Sequence, residues 1–386
     1  MSELAKDVLI VAASARGLAE SAARAGYRVR AVDAYGDVDL LAHASTVALH
    51  RDRGREWSAA AAVAAAAAIP CGAVAYGSNL ENHPSAVARL ASGRRLWGNE
   101  PEVLRRARDP ILLADVLRSR GLPAPRTAVA AKQGDQHGWL LKPRLSGGGH
   151  GIRPLRPGEE VPRTRYLQER IEGTPGSITF AADGRRAVAL GLSLQLIGLR
   201  VFGADGFRYC GSVLCGGPAP LFEQEPTLLE SAVAAATAAT ETFGLVGVNG
   251  IDFIARDGVA WVIELNPRYS ASMELVERAH GVSIFQAHVD ACSGRLPSDV
   301  HLRRPLDRVH GKAVIYAAES LIARRLHRWR DEAIRDVPHP GERIGRGRPI
   351  CTVFAAAESV AACMAVLEAR AAWVYSAGTR ADRSAA

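Results

Sequence analysis

Leu141-Lys142-Pro143-Arg144-Leu145-Ser146-Gly147-Gly148-Gly149-His150-Gly151-Ile152 sets a lysine at the end of an apolar run and follows it with a glycine-rich loop. Glycines let backbone N–H groups converge on an anion, and an ammonium beside them acts as a point charge against a phosphate. The lysine precedes the glycines and no Gly-Lys-Ser/Thr follows, so this is not a Walker loop. Taken alone, the stretch reads equally well as a surface loop with an ordinary lysine.

A second stretch shifts that balance. Gly250–Ala255, the Asp257-Gly258 turn and Val259–Leu265 form a hairpin pattern, with Asp252 on one strand and Glu264-Leu265-Asn266 ending the other. Glu264 and Asn266 are two apart and share a strand face, and Asp252 opposite them makes an all-oxygen cluster suited to Mg²⁺ with phosphates. Pro267-Arg268 follows, placing a guanidinium where a phosphoryl group or carboxylate would sit.

Around these two stretches the chain reads as an α/β protein. Val8–Ala13 is an apolar strand, Ser14 is a candidate cap for a helix over Ala15–Ala25, and a strand over Tyr27–Val32 ends at Asp33. Only Gly17 lies in the first turn, so the glycine fingerprint of dinucleotide sites is absent. Ala73–Tyr76 and the polar loop Gly77–Asn82 form a second strand-loop unit. Asp109–Pro125 reads as a helix and its stop. Strands are expected over Trp139–Lys142, Tyr166–Ile171, Ser177–Ala182, Ala187–Leu194 and Val201–Phe202, and a helix over Leu228–Phe243. The tail predicts a basic helix over Ala318–Ala333, a Pro338–Gly341 turn, a strand over Pro349–Ala355 and a helix over Glu358–Ala372, with fraying after Ser376.

Composition narrows the function classes. The 386 residues are 48% hydrophobic and 23% charged, enough for several cored domains and unlike a disordered chain. No run reaches the roughly 18 apolar residues of a membrane span, Ala59–Ile69 coming nearest, and the N-terminus reaches Arg16 before any long apolar region. The net charge is +8, but of 48 basic residues only Lys6, Lys132, Lys142 and Lys312 are lysines, and the arginines are scattered with few aromatics between them. That suits anionic small substrates better than a nucleic acid. The six cysteines contain no CxxC pair and read as reduced thiols of a cytoplasmic protein. His280, His288 and His339 show no metal-ligand spacing, and neither a nucleic acid nor a membrane is an expected partner.

Together, the lysine–glycine loop, the hinge Leu167-Gln168-Glu169-Arg170-Ile171-Glu172-Gly173 and Asp252…Glu264-Leu265-Asn266-Pro267-Arg268 resemble the ATP-grasp superfamily in order and spacing. The resemblance implies a Rossmann-like leading domain over 1–105, a small lid over 106–175, a metal-bearing α+β half over 176–303 and a closing domain over 304–386. The last is similar to that of biotin-carboxylase-like members. It implies that Lys142 contacts phosphates, that the loop with Ser146, Gly147, Gly148 and Gly149 covers them, and that Gln168, Glu169, Arg170 and Ile171 hold adenine by backbone groups. It also implies that Asp252, Glu264 and Asn266 bind Mg²⁺ or Mn²⁺ and that Lys142 and Arg268 serve catalysis. The implied reaction is ATP-dependent joining of a carboxylate and an amine through an acyl phosphate, with no nucleophilic Ser or Cys required.

Two positions depart from the family pattern. Asp109-Pro110 stands where most members have Asp-Lys, and Arg108 is the candidate replacement; Gly173–Ser177 lacks the usual ribose-binding glutamate. These departures motivate a non-catalytic nucleotide-binding or scaffold alternative, and the tail motivates a carboxylating one. Candidate substrate residues are Ser14, Arg16, Ser78, Glu81, Gln195, Arg200 and Ser270. Ala12–Glu20 and Asp33–Asp39 look like a subgroup linked to tetrahydromethanopterin and methanofuran-type cofactor genes, which implies attachment of an amino acid such as glutamate to a cofactor precursor. A homo-oligomer is compatible with the sequence.

Overall fold

The computed structural model describes residues 6–130, 138–298, 305–325 and 327–381, without the side chains of Arg328 and Arg330. The expected boundary at 303/304 lies outside the described residues.

The leading segment is a five-stranded parallel sheet of β1 (Asp7–Val11), β2 (Arg28–Asp33), β3 (Ala44–Ala48), β4 (Ala73–Tyr76) and β5 (Arg95–Trp97), in the order β3-β2-β1-β4-β5. All of β1 is buried, as a parallel strand covered on both faces must be. The helix after it spans Arg16–Arg24, and Ser14 does not cap it. Asp33 at the end of β2 takes that role, accepting from the Ala15 N–H at 2.7 Å, because the carboxylate of the neighbouring parallel strand reaches the orphan amide first.

A small antiparallel sheet follows, built from β6 (Thr127–Ala128), β7 (Trp139–Pro143), β8 (Arg153–Pro154) and β9 (Arg165–Glu169) in the order β6-β9-β7-β8. The preceding helix spans Pro110–Ser119, with the Asp109 carboxylate accepting from Ile111 and Leu112 N–H. Proline at the first helical position costs no hydrogen bond, so Asp109-Pro110 is a strong helix start.

The largest sheet has eight strands. It comprises β10 (Thr174–Asp183), β11 (Ala187–Ile197), β12 (Tyr209–Leu214), β13 (Val246–Arg256), β14 (Val259–Asn266), β15 (Val309–Tyr316), β17 (Ile334–Arg335) and β19 (Pro349–Ala357), ordered β14-β13-β10-β11-β12-β15-β19-β17. β16 (Leu321–Ala323), β18 (Arg343–Ile344) and β20 (Thr379–Ala381) form a third antiparallel unit. The helix Glu225–Phe243 packs an alanine-rich face on the large sheet.

Several tail expectations are corrected. Ala318–Ala333 is not a helix but β16 and a 3-10 turn over His327–Arg330, because Leu321 and Ala323 alternate into a core. Val201–Phe202 belongs to a 3-10 turn over Arg200–Phe202 that follows Gly198 at φ +66°. The chain beyond Ser376 is ordered through Thr379–Ala381, which pairs with β16, and 382–386 lie outside the described residues. Ala59–Ile69 is not the nearest approach to a membrane span. Val360–Gly378 alone among the described helices matches one in length and composition, at mean hydropathy 1.2, and buries Cys363, Leu367, Ala371 and Val374 in the core beneath it.

Candidate functional site

A cavity of about 820 Å³ opens where the leading sheet, the small sheet, the large sheet and the tail converge. Lys142 ends β7 and is 6% exposed. Its ammonium donates to Gln168 Oε1 at 2.9 Å and to the Ile263 carbonyl at 3.4 Å. Gln168 in turn donates to the same carbonyl at 3.0 Å, so its side chain positions Lys142. Glycine is required at Gly149, where φ is +77° and a Cβ would meet the Phe207 carbonyl at 1.8 Å. Gly148 and Gly149 line the main cavity, whereas Ser146 and Gly147 line a small side cavity behind Lys142.

Glu169, Arg170 and Ile171 line the cavity, but the N–H groups of Glu169 and Arg170 are bonded to the Arg126 and Gly138 carbonyls. A ligand at this hinge meets other backbone groups.

The two-residue period delivers the acidic cluster. Asp252 pairs with Glu264 across β13 and β14, and Gly250 pairs with Asn266. Asp252 Oδ1 accepts from Gln195 at 2.9 Å and Oδ2 from the Asn266 amide at 3.0 Å. Burial and the adjacent Glu264 push Asp252 up to about 7. Burial opposes the charge on Glu264 too, but Arg108 and Lys142 hold it below the usual carboxylate range. Two carboxylates this close disfavour each other's charge, and a cation beside them would relieve that repulsion. Among the described residues no three His, Cys, Asp or Glu side chains form a metal cage. The oxygen donors of Asp252, Glu264 and Asn266 fit Mg²⁺ or Mn²⁺ that completes its shell with phosphate oxygens and water.

Arg108 is the residue that ties this cluster to the loop. It donates to Glu264 Oε1 at 2.7 Å, to the Ser146 carbonyl at 3.1 Å and to Asn82 Oδ1 at 3.0 Å. Arg268 donates to Glu81 at 2.9 Å, Asn266 Oδ1 at 3.1 Å and its neighbour's carbonyl at 3.0 Å.

The candidate substrate residues divide. Ser14, Ser78, Gln195 and Ser270 line the cavity. Arg16 also reaches it, yet its guanidinium is spent on Glu274 and Asp336. Glu81 is buried, lies outside the cavity wall and serves as the partner of Arg268. Arg200 is exposed on its 3-10 turn and away from the cavity, because β11 ends at Ile197 before that residue. Sequence reading missed Asp336 and Thr352, which face the cavity from the tail, and Lys312, which donates to Glu274 at 3.0 Å. No local pattern marks them, since long-range strand pairing brings them in.

Residues 107–272 match the family profile of the ATP-grasp domain, and the whole has a mixed α/β ATP-grasp fold. The biotin carboxylase of Campylobacter jejuni, solved with β,γ-ATP, superposes with a TM-score of 0.72 at 18% identity over 94% of this chain and 89% of that one. The L-amino acid ligase of Bacillus licheniformis superposes at 0.68 and 16% identity over 95% and 97%. The carbamoyl phosphate synthase large chain of Deinococcus radiodurans is 26% identical over 212 residues, 49% of this chain and 20% of that one. The matched stretches span about a quarter or less of the curated relatives.

Proposed function

We propose that this chain is an ATP- and Mg²⁺-dependent ligase that joins a small-molecule carboxylate to an amine. The observation that supports it most is the convergence of Lys142, Arg108 and Arg268 on the Asp252–Glu264 pair beside one cavity. Three cations around two carboxylates suit a triphosphate with its metal, and the domain match agrees.

On this reading the carboxylate oxygen of the substrate takes the γ-phosphoryl group and the bond to the β-phosphate oxygen breaks, releasing ADP. The amine nitrogen then attacks the acyl carbon, the bond to phosphate breaks, and the nitrogen loses a proton. Lys142, held by Gln168, would bind phosphate oxygens, and Arg268, held by Glu81, would neutralise the group in transfer. A divalent cation on Asp252 and Glu264 would supply further charge neutralisation. The division at 105, 175 and 303 assigns this site to the junction of lid and metal-bearing half. The finer reading adds an amino acid to a one-carbon cofactor precursor, and rests on the likeness of Ala12–Glu20 and Asp33–Asp39.

ADP release should require both an acid and an amine from a panel of amino acids, each with and without pterin or furan precursors. Mass spectrometry should show the dehydrated adduct. Asp252→Asn and Glu264→Gln should each lose turnover while remaining folded. Full activity in both variants would sink the metal assignment.

A further inference from the structure

The cavity has a second end, away from the Asp252–Glu264 pair. There the loop after β2 meets the segment after β17, with Val38 N–H donating to the Val337 carbonyl at 2.9 Å. Four aspartates gather at this seam: Asp33, Asp37, Asp39 and Asp336. Three are satisfied. Asp33 accepts from the Ala15, Tyr35 and Gly36 N–H groups. Asp39 accepts from the Asp336 and Val337 N–H groups at 3.0 and 2.8 Å. Asp336 takes Arg16 through both oxygens and the Thr352 hydroxyl at 2.5 Å.

Asp37 is the exception. It is only 9% exposed and lines the cavity, and among the described residues its carboxylate has no hydrogen-bond or ion-pair partner. The backbone on either side is fixed, by the Gly36 N–H on Asp33 at 2.7 Å and by Val38 on Val337, which holds Asp37 at the cavity wall. Burial, Asp336, Asp33 and Asp39 all act against its charge, and Arg16 is the cation opposing them. Arg16 is itself spent on Glu274, Asp336, Glu20 and Asp39. Lys312 and Arg278 are turned to Glu274, and Arg335 to Glu20. A largely buried, unpartnered carboxyl group on a cavity wall is a candidate binding group for a ligand of opposite charge.

We infer that Asp37, backed by Asp336, receives the ammonium group of an organic substrate. The neighbouring wall decides between a metal and an organic cation. Leu18, Tyr35, Pro338, Ile344 and Ile350 line the same cavity and offer apolar and aromatic surface, whereas a hard metal ion needs more oxygen ligands than this. The ligand class is thus a primary amine with an apolar or aromatic body. As a statement about a substrate the assignment rests on the ligase reading; as a binding site it is testable alone.

The probes are n-butylammonium and 2-phenylethylammonium, with 1-butanol and 2-phenylethanol as uncharged matches, titrated calorimetrically into the full chain at pH 7.5. Both ammonium ions should bind more tightly than their alcohols. Asp37→Asn should weaken ammonium binding by about tenfold or more, the scale of a lost charged hydrogen bond, and leave alcohol binding unchanged. The unliganded variant should melt at or above the wild-type temperature, since an unpartnered charge has been removed. Alcohols binding as well as ammonium ions, ammonium binding unaltered in Asp37→Asn, or a variant that melts several degrees lower would each overturn the inference. Amine-dependent ADP release whose KM ignores Asp37→Asn overturns it and leaves the ligase reading standing. Asp37-dependent ammonium binding with no ADP release on any panel supports it and removes the ligase reading.

Discussion

Arg108 occupies the position where charge counts most. Its guanidinium is almost fully buried and spans Glu264, the Leu265 carbonyl and the Ser146 carbonyl, joining the acidic pair to the glycine loop. A lysine cannot reproduce that fork, because its ammonium is one point charge on a flexible stem. Arg108→Ala should therefore weaken ATP binding by about tenfold or more and lower the melting temperature, leaving Glu264 only Lys142 and Arg268 to offset its charge. Arg108→Lys should fall between. Adding Glu264→Gln to Arg108→Ala should restore much of the lost melting temperature and none of the ATP affinity. Calorimetric ATP titration checks the first claim; unchanged affinity in Arg108→Ala would show that this arginine does not replace the lysine absent at Pro110.

At the scale of elements, the glycine loop is shaped by one close contact. Gly149 must pass against the Phe207 carbonyl at positive φ, while a Cβ on Gly147 would meet nothing within 4 Å. Gly149→Ala should lift the loop off the connection between β11 and β12 and cut kcat by about tenfold or more, the cost of a misplaced positioning element. Gly147→Ala should remain near wild type in both kcat and melting temperature, and equal losses in the two variants would refute a contact-specific role. This contrast also shows what the sequence could carry. The register of Asp252, Glu264 and Asn266 was legible because strand geometry repeats every two residues, and the Asp109-Pro110 start was legible as a helix because capping is local. Arg200 and Ala318–Ala333 were misread because a turn after Gly198 and an edge pairing with β20 depend on partners far along the chain. Asp37 and Asp336 lie roughly 300 residues apart and meet only through folding.

Across the whole molecule, the leading sheet is pinned to the large sheet by His288, which is buried on the helix Ile284–Ala291. Its Nδ1 accepts from the Val248 N–H of β13 at 2.9 Å, and its Nε2 donates to the Trp97 carbonyl of β5 at 3.1 Å. Those backbone partners fix the neutral Nε2–H tautomer, since a proton on Nδ1 would face a donor. Burial lowers the imidazole to about 4, the Trp97 carbonyl only partly offsetting it. In the unfolded chain a histidine binds its proton near pH 6.5. Below that pH the unfolded state takes up a proton that the folded state refuses, so stability is lost as pH falls from about 6.5 towards 4, by roughly 3 kcal/mol at most from this one group. Asp33 at the opposite seam runs the other way: burial raises it to about 6, so its contribution is lost as pH rises from about 4 to about 6. The difference between wild type and His288→Asn isolates the histidine. The variant should be less stable at pH 8, having lost the Trp97 contact, but its melting temperature should fall less steeply between pH 6.5 and 4.5. Parallel acid limbs in the two proteins would mean that His288 charges without cost, and the seam between the leading and large sheets would then have to be held by something other than this neutral ring.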